Sequence, residues 1–399
     1  MKTQLTSNGL SSLRVQRFRS IHEIDEGLWD TINSKQDLFH THRFIRSVED
    51  GGVENSRFWY LLFYHDDVPV GAVVLSSFAV SLDLLTDKWF QKVVKLLKRW
   101  VPHFLRVDIL FCGLPVSIGK HTIAIPDMSC SQKVLGLLVR EMTEIAREEQ
   151  IQILCVKEFL EGDRGFIDSM TQYRFFCSPS LPYMNMEIRW REFQSYLAEM
   201  RHAYRRPILR SVRKLGESRP VIQRRIPSTE MEKPVLVLVT PASCPPRRFY
   251  ELYLEVMKRA KIKLEILNEA FFENIYKNLK NEMEILAVIN KGQVLSTAML
   301  TVYKGTMTFL LAGLDYSERD EHDAYFNLLY GIVALAIERG CVCLELGQTP
   351  YWVKQRLGAK PTASYLYIRE EHWYFNCVLK LFRPFLFPEI KLQRLHIFR

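Results

Sequence analysis

The chain has 399 residues, 48% of them hydrophobic, with 54 Lys and Arg against 45 Asp and Glu and a formal net charge of +9. This length and apolar content exclude a disordered chain and allow a large buried core, in two or three domains or in one built from two like halves. The positive balance points to an acidic or phosphate-bearing partner. No uncharged apolar run reaches the roughly 20 residues of a membrane-spanning helix, because the stretch from Ala324 to Ile337 stops short at Glu338 and Arg339. The opening residues carry no apolar segment of the secretory type, so the expectation is a cytoplasmic protein.

In chain order, the first clear signal is FYHDDVPVGAVVLSSF (63–78), a hairpin echoed later by VINKGQVLSTAMLTVY (288–303). Each joins two apolar strands through a polar turn, and Gly71-Ala72 or Ser296-Thr297 let neighbouring strands approach closely. After the first hairpin come the strand VDILFCG (107–113), the helix SQKVLGLLVREMTEIAREE (131–149), the strand IQILCVKEF (151–159) and a short helix near 165–172. After the second come TMTFLLAGLD (306–315), the helix AYFNLLYGIVALAIERG (324–340), the strand VCLELG (342–347) and the helix PYWVKQRLG (350–358), closed by Gly358. Each half reads β-β-β-α-β-α-β, an α/β plan with a mixed sheet. The halves divide into 1–188 and 189–399, and the connector after the boundary reads as a helix up to Arg206, where Pro207 breaks or kinks it.

Eight scattered cysteines without framework spacing suit reduced thiols better than disulfides. Neither Cys341-Val-Cys343 nor His40-Thr-His42 has companions that complete a metal site, so no metal is expected.

The basic Arg-x-x-x-Arg-Arg-x-x-x-Arg segment at 201–210, the second hairpin, the strand-loop-helix at 312–340 and LELGQTPYWVKQRLGA (344–359), in this order, resemble the FemAB-like branch of the GNAT acyltransferases, proteins with two tandem GNAT folds. The resemblance is clearest over 189–369. It implies acyl or aminoacyl transfer to an amine in a cleft between the two copies. Its closing pattern is matched by Gly347, Gln348, Tyr351, Lys354 and Gly358. It implies Lys354 beside the developing oxyanion, Tyr351 or Tyr325 as proton donor to the leaving group, and Glu345 as acceptor of the amine proton through water. Gln348 and Trp352 would line the acceptor site, and Gly313, Asp323 and Asn327 the donor site. Two departures stand out: Val353 replaces the usual aromatic before the lysine, and Gln348 an arginine.

Acyl-CoA is the first-choice donor, although Asp315, Glu318, Asp320, Glu321 and Asp323 crowd the loop where a diphosphate would meet a helix N-terminus. Asp323 suits a helix cap. The arginines of 201–225 offer three readings: a solvated face, a phosphate site on Arg206 and Arg210, or contact with tRNA. The stretches LLTDKWFQKVVKLLKRWVPHF (84–104) and YFNCVLKLFRPFLFPEIKLQRLHIFR (374–399) interleave aromatics with cations, which suits either packing on the body or peripheral attachment to an anionic inner membrane face. The expectation is therefore an N-acyltransferase acting on an amine of a small or lipid-linked acceptor. The alternatives are a tRNA-dependent Fem-type transferase and a non-catalytic membrane-associated scaffold.

Overall fold

A computed structural model describes residues 13–52, 55–81, 106–226, 233–260, 266–317 and 321–399. The strands are β1 (Leu13–Phe18), β2 (Arg57–His65), β3 (Val68–Ser81), β4 (Arg106–Cys112), β5 (Ile123–Ala124), β6 (Ile153–Leu160), β7 (Phe176–Pro179), β8 (Tyr183–Glu187), β9 (Ile222–Gln223), β10 (Val235–Val239), β11 (Met283–Asn290), β12 (Gln293–Tyr303), β13 (Thr306–Leu314), β14 (Cys343–Gly347), β15 (Lys360–Thr362) and β16 (Ser364–Glu370). They form two mixed sheets. The first runs β1-β2-β3-β4-β6-β16-β7, with β5 beside β3, and the second runs β15-β8-β14-β13-β12-β11-β10-β9.

The two echoed hairpins are present as expected. β2 and β3 turn through Asp66 and Asp67, and β11 and β12 through Lys291 and Gly292, all four at positive φ. Two consecutive left-handed residues make the tight turn whose twist matches that of the flanking strands.

In both sheets a parallel pair forms and then separates. β4 pairs with β6 over 109–112 and 153–156, and β13 with β14 only over 306–308 and 343–345. Beyond Thr308 and Glu345, β13 continues along β12 to Leu314, whereas β14 stays beside β8. A wedge opens between them.

The division at 188 and 189 is crossed twice. β8 lies ahead of it in sequence but sits between β14 and β15 of the second sheet, while β16 lies far beyond it but sits between β6 and β7 of the first. A strand joins whichever edge offers free N–H and C=O groups at the right place, and its own residue pattern does not name that edge.

Helices cover the sheets: α1 (Glu26–Ile32), α2 (His42–Gly51), α3 (Ser131–Glu148), α4 (Arg164–Ile167), α5 (Phe193–Glu199), α6 (His202–Arg213), α7 (Pro246–Arg259), α8 (Glu269–Asn278), α9 (Ala324–Glu338), α10 (Tyr351–Arg356) and α11 (Trp373–Leu386). One apolar core joins the halves, with Phe39, Phe44 and Val48 from the first packed among Phe271, Phe272 and Ile275 from the second. At the centre of this junction α2 lies against α8. A Cβ on Gly51 would stand 2.2 Å from Phe271 Cα, so only glycine lets the two backbones come this close.

The connector departs from expectation. Its helix breaks at Met200, between α5 and α6, and Pro207 lies inside α6. The carbonyl that Pro207 leaves without a partner belongs to Ala203, which is exposed, so water can serve it. All eight cysteines are free thiols. Among the described residues no helix is long and apolar enough to cross a membrane. The stretch 84–104 lies outside the described residues, as do Glu318 and Asp320.

Candidate functional site

β14 alternates along its length. Leu344 and Leu346 are buried in the core beneath α9, so Glu345 faces the other way, toward the first half. There its carboxylate accepts from Thr308 Oγ1 at 2.8 Å and Tyr183 Oη at 3.3 Å, and pairs with Lys120 Nζ at 2.8 Å. Lys120 also reaches Asp37 Oδ2 at 2.5 Å. Asp37 Oδ1 in turn accepts from Phe39 N at 3.0 Å and from His40 Nδ1 at 2.8 Å, while His40 Nε2 donates to His121 O at 2.7 Å. A continuous chain of charges thus crosses from one sheet to the other.

Burial alone would raise the Asp37 carboxyl, but His40 and Lys120 together hold it well below the usual carboxylate range. Burial would likewise lower Lys120, and Asp37 and Glu345 more than offset this, leaving it raised. His121, buried beside His40, is pushed down to about 3 and stays neutral, its ring stacked on Phe159 at 4.7 Å. Beside this chain lies a cavity of about 310 Å³, lined from the first half by Gln36, Asp37 and Lys120 and from the second by Thr301, Tyr303 and Thr306.

Lys354 occupies the opposite face of the second sheet. Its ammonium lies 5.9 Å from the ring of Phe309, the residue after Thr308, among the apolar side chains beneath α9. It is 2% exposed and donates to the carbonyls of Gln348 and of Thr349, the latter at 2.9 Å. Burial with no carboxylate beside it pushes its pKa down to about 7. The lysine therefore holds the loop between β14 and α10 from below. Two of the three ammonium donors are engaged by these backbone carbonyls, which makes the lysine a brace of the loop.

Tyr351, on the same helix, is half-buried, its shielded hydroxyl has no hydrogen-bond partner among the described residues, and burial pushes it up to about 12. Burial, with Tyr316 nearby, raises Tyr325 further. Both phenols keep their protons at neutral pH and so have a proton to donate. Trp352 is 56% exposed, edge-on to Phe326 at 6.2 Å and 5.7 Å from the Arg356 guanidinium. Gln348 donates from Nε2 to Leu181 O at 3.3 Å, which ties the loop to the segment before β8. The structure thus gathers Lys354, Tyr351, Trp352 and Gln348 at the wedge and sets Glu345 apart on the reverse face.

The expected donor residues have other employment. Asn327 is fully buried and donates to Ser211 O at 3.0 Å and His322 O at 2.9 Å, pinning α6 to α9. The Asp323 side chain makes no cap bond to its own helix. It accepts from Ser211 Oγ at 2.7 Å and Lys214 Nζ at 2.9 Å, so the expected cap is corrected to a clamp on the basic connector. Gly313 sits where a Cβ would stand 2.6 Å from Leu252 Cβ, making room for α7. Asp315 serves Ser317 in its own turn. Arg206 and Arg210 are exposed on α6, with no ion pair to another described residue.

Lys120, Asp37, His121 and Tyr183 were missed from sequence. Only the spacing of Asp37 and His40, three apart before a helix, hinted at a local pair; Lys120 and Tyr183 are single residues whose neighbours the fold supplies.

Comparison with known proteins agrees with this architecture. The FemAB-like family, described as peptidoglycan biosynthesis/recognition, matches residues 20–379. Among solved structures, FemX superposes with a TM-score of 0.54 at 12% identity, covering 92% of this chain and 100% of its own. The C-terminal domain of a putative lysylphosphatidylglycerol synthetase from Agrobacterium fabrum gives 0.50 at 12% identity over 91% of this chain and 96% of its own. A tandem GNAT protein from the clavulanic acid biosynthesis pathway gives 0.50 at 11% identity, over 90% and 99%. Two curated Mycobacterium tuberculosis proteins named putative 8-amino-7-oxononanoate synthase 2, from strains CDC 1551 / Oshkosh and ATCC 25618 / H37Rv, are 22% identical over 334 residues, 82% of this chain, which spans only 41% of their length. With a family match over nearly its whole length and the paired, splayed sheets of a tandem GNAT fold, the chain belongs to the FemAB-like family.

Proposed function

We propose that the protein is an N-acyltransferase that moves an acyl or aminoacyl group from a thioester or ester donor onto an amine of a small or lipid-linked acceptor. The observation that carries this reading is the wedge after Thr308 and Glu345, with Tyr351 on the helix face of the sheet and Glu345 and the inter-half cavity on the reverse face. A donor lying on the helix face would present its carbonyl carbon through the wedge to an amine in the cavity. The amine nitrogen attacks, the C–N bond forms and the C–S or C–O bond breaks. Glu345 takes the amine proton through water and Tyr351 protonates the leaving group. Lys354 keeps Gln348 and Thr349 in place at the rim.

Calorimetry with an acyl-CoA and with an aminoacyl-tRNA tests this. Heat with one of them, followed by product formation with a primary amine, supports transfer and names the donor; heat with neither overturns it. The internal bonds of Asp323 and Asn327 favour the aminoacyl donor over a coenzyme A held in the usual manner, and with both donors silent they favour a scaffold that keeps the fold alone.

A further inference from the structure

Among the described residues, the helix α11 is unlike every other helix of comparable length, because none of its 14 residues is buried. At about 100° per residue, Tyr374, Phe375, Val378, Leu381, Phe382 and Phe385 fall within an arc of about 120°. These six side chains are 47% to 74% exposed. The contacts that fix the helix to the body lie on the opposite side. Asn376 accepts from Glu370 N and donates to Arg174 O, both at 3.0 Å, Arg383 donates to Cys177 O at 3.0 Å, and Leu379 packs with Phe78, Val80 and Ile368. The stripe therefore faces outward on a helix that is firmly attached through its other face.

The charge on this helix narrows the occupant. Lys380 and Arg383 are its only ionised residues, and no acid occurs between Glu371 and Glu389, in a chain whose net charge is +9. A second copy would bring cations against cations. An apolar aromatic stripe edged by cations complements a bilayer surface that offers both a hydrocarbon boundary and negative headgroups.

We propose that α11 docks the protein on an anionic phospholipid surface, with its six-residue stripe inserted at the boundary between headgroups and acyl chains. This goes beyond the transferase reading and does not depend on it. Docked in this way, the helix would hold the enzyme against the plane in which a lipid-linked acceptor diffuses.

The test is co-sedimentation of the full chain with vesicles of phosphatidylcholine alone and of phosphatidylcholine with about 30% phosphatidylglycerol. The wild type is expected to pellet with the anionic vesicles and to stay in the supernatant with the neutral ones. The triple variant Leu381→Ser, Phe382→Ser, Phe385→Ser should bind at least about tenfold more weakly. All three positions are exposed, so an unchanged melting temperature is expected. Lys380→Glu, a second surface variant, should weaken binding to the anionic vesicles. Equal pelleting of wild type and triple variant, or no pelleting of the wild type, overturns the proposal. A dimer in light scattering that the triple variant converts to monomer also overturns it, in favour of a second copy as occupant. No acyl donor or acceptor is present, so failure here leaves the transfer reading standing, and loss of donor binding leaves this one.

Discussion

The carboxylate of Glu345 and the ammonium of Lys120 meet at 2.8 Å across the junction of the two sheets. Both are largely shielded, and the lysine is shared with Asp37. Removing one member leaves the others charged and short of a partner, which is more damaging than losing the pair together. Lys120→Met is therefore expected to cost about 3 kcal/mol in urea denaturation, and Lys120→Met with Glu345→Gln less than the sum of the two single changes.

Acid should expose the same chain of charges. The Asp37 carboxyl is held below its ordinary value of 3.8, so in that range the unfolded state binds more protons than the folded one. Its stabilisation is complete above the ordinary value and is lost as pH falls through the folded value. The difference in melting temperature between wild type and Asp37→Asn should be widest near about pH 6 and narrow as pH drops below about 4. A constant gap would show that the carboxyl titrates normally.

Lys354 predicts a slope of the same sign in a higher pH range. Burial lowers it from 10.5 to about 7, so between those values the unfolded chain carries the extra proton and stability rises with pH. The full effect is roughly 5 kcal/mol at most. Denaturation of Lys354→Met, compared with wild type at several pH values from about 6.5 to 10, should lack this rise. The comparison of slopes matters, because the variant also forfeits two hydrogen bonds to the loop.

Tyr351→Phe separates chemistry from folding. The hydroxyl has no hydrogen-bond partner among the described residues, so its removal should change stability by less than about 0.5 kcal/mol. As the proton donor to the leaving group it should slow single-turnover transfer by about 100-fold or more. Unchanged turnover would remove Tyr351 from the mechanism.

Gly51→Ala tests the seam between the halves. The new methyl would fall 2.2 Å from the Phe271 backbone, which cannot step aside as a flexible side-chain tip can. A loss of about 3 kcal/mol or more is expected, read from the urea midpoint.

How much of this was legible in the sequence depended on the range of each signal. The hairpins around Asp66-Asp67 and Lys291-Gly292 announce themselves, because the turn and both strands lie within a few residues of one another. The α9 and α10 helices and the clustering of Tyr351, Trp352 and Lys354 were equally local. The direction in which Lys354 points was not, since a lone lysine on a short helix can brace a loop or face a ligand, and only the carbonyls of Gln348 and Thr349 decide. Asp323 carried a reasonable capping signal that lost to Ser211 and Lys214, brought up by a distant helix. Lys120 and Asp37 gave no pattern linking them to Glu345, because what unites them is the docking of two sheets.

The exchanged strands β8 and β16 also set the order in which the molecule can be completed. During synthesis the N-terminal portion leaves the ribosome with β6 and β7 separated by a vacant lane, and that lane stays vacant until Ser364–Glu370 is made. The second sheet is the mirror case, since its filler β8 is made early and must wait for β14 and β15. Neither portion can mature ahead of the other, so a nascent chain stalled before β16 should present unpaired sheet edges to chaperones, and a fragment ending there should aggregate rather than fold.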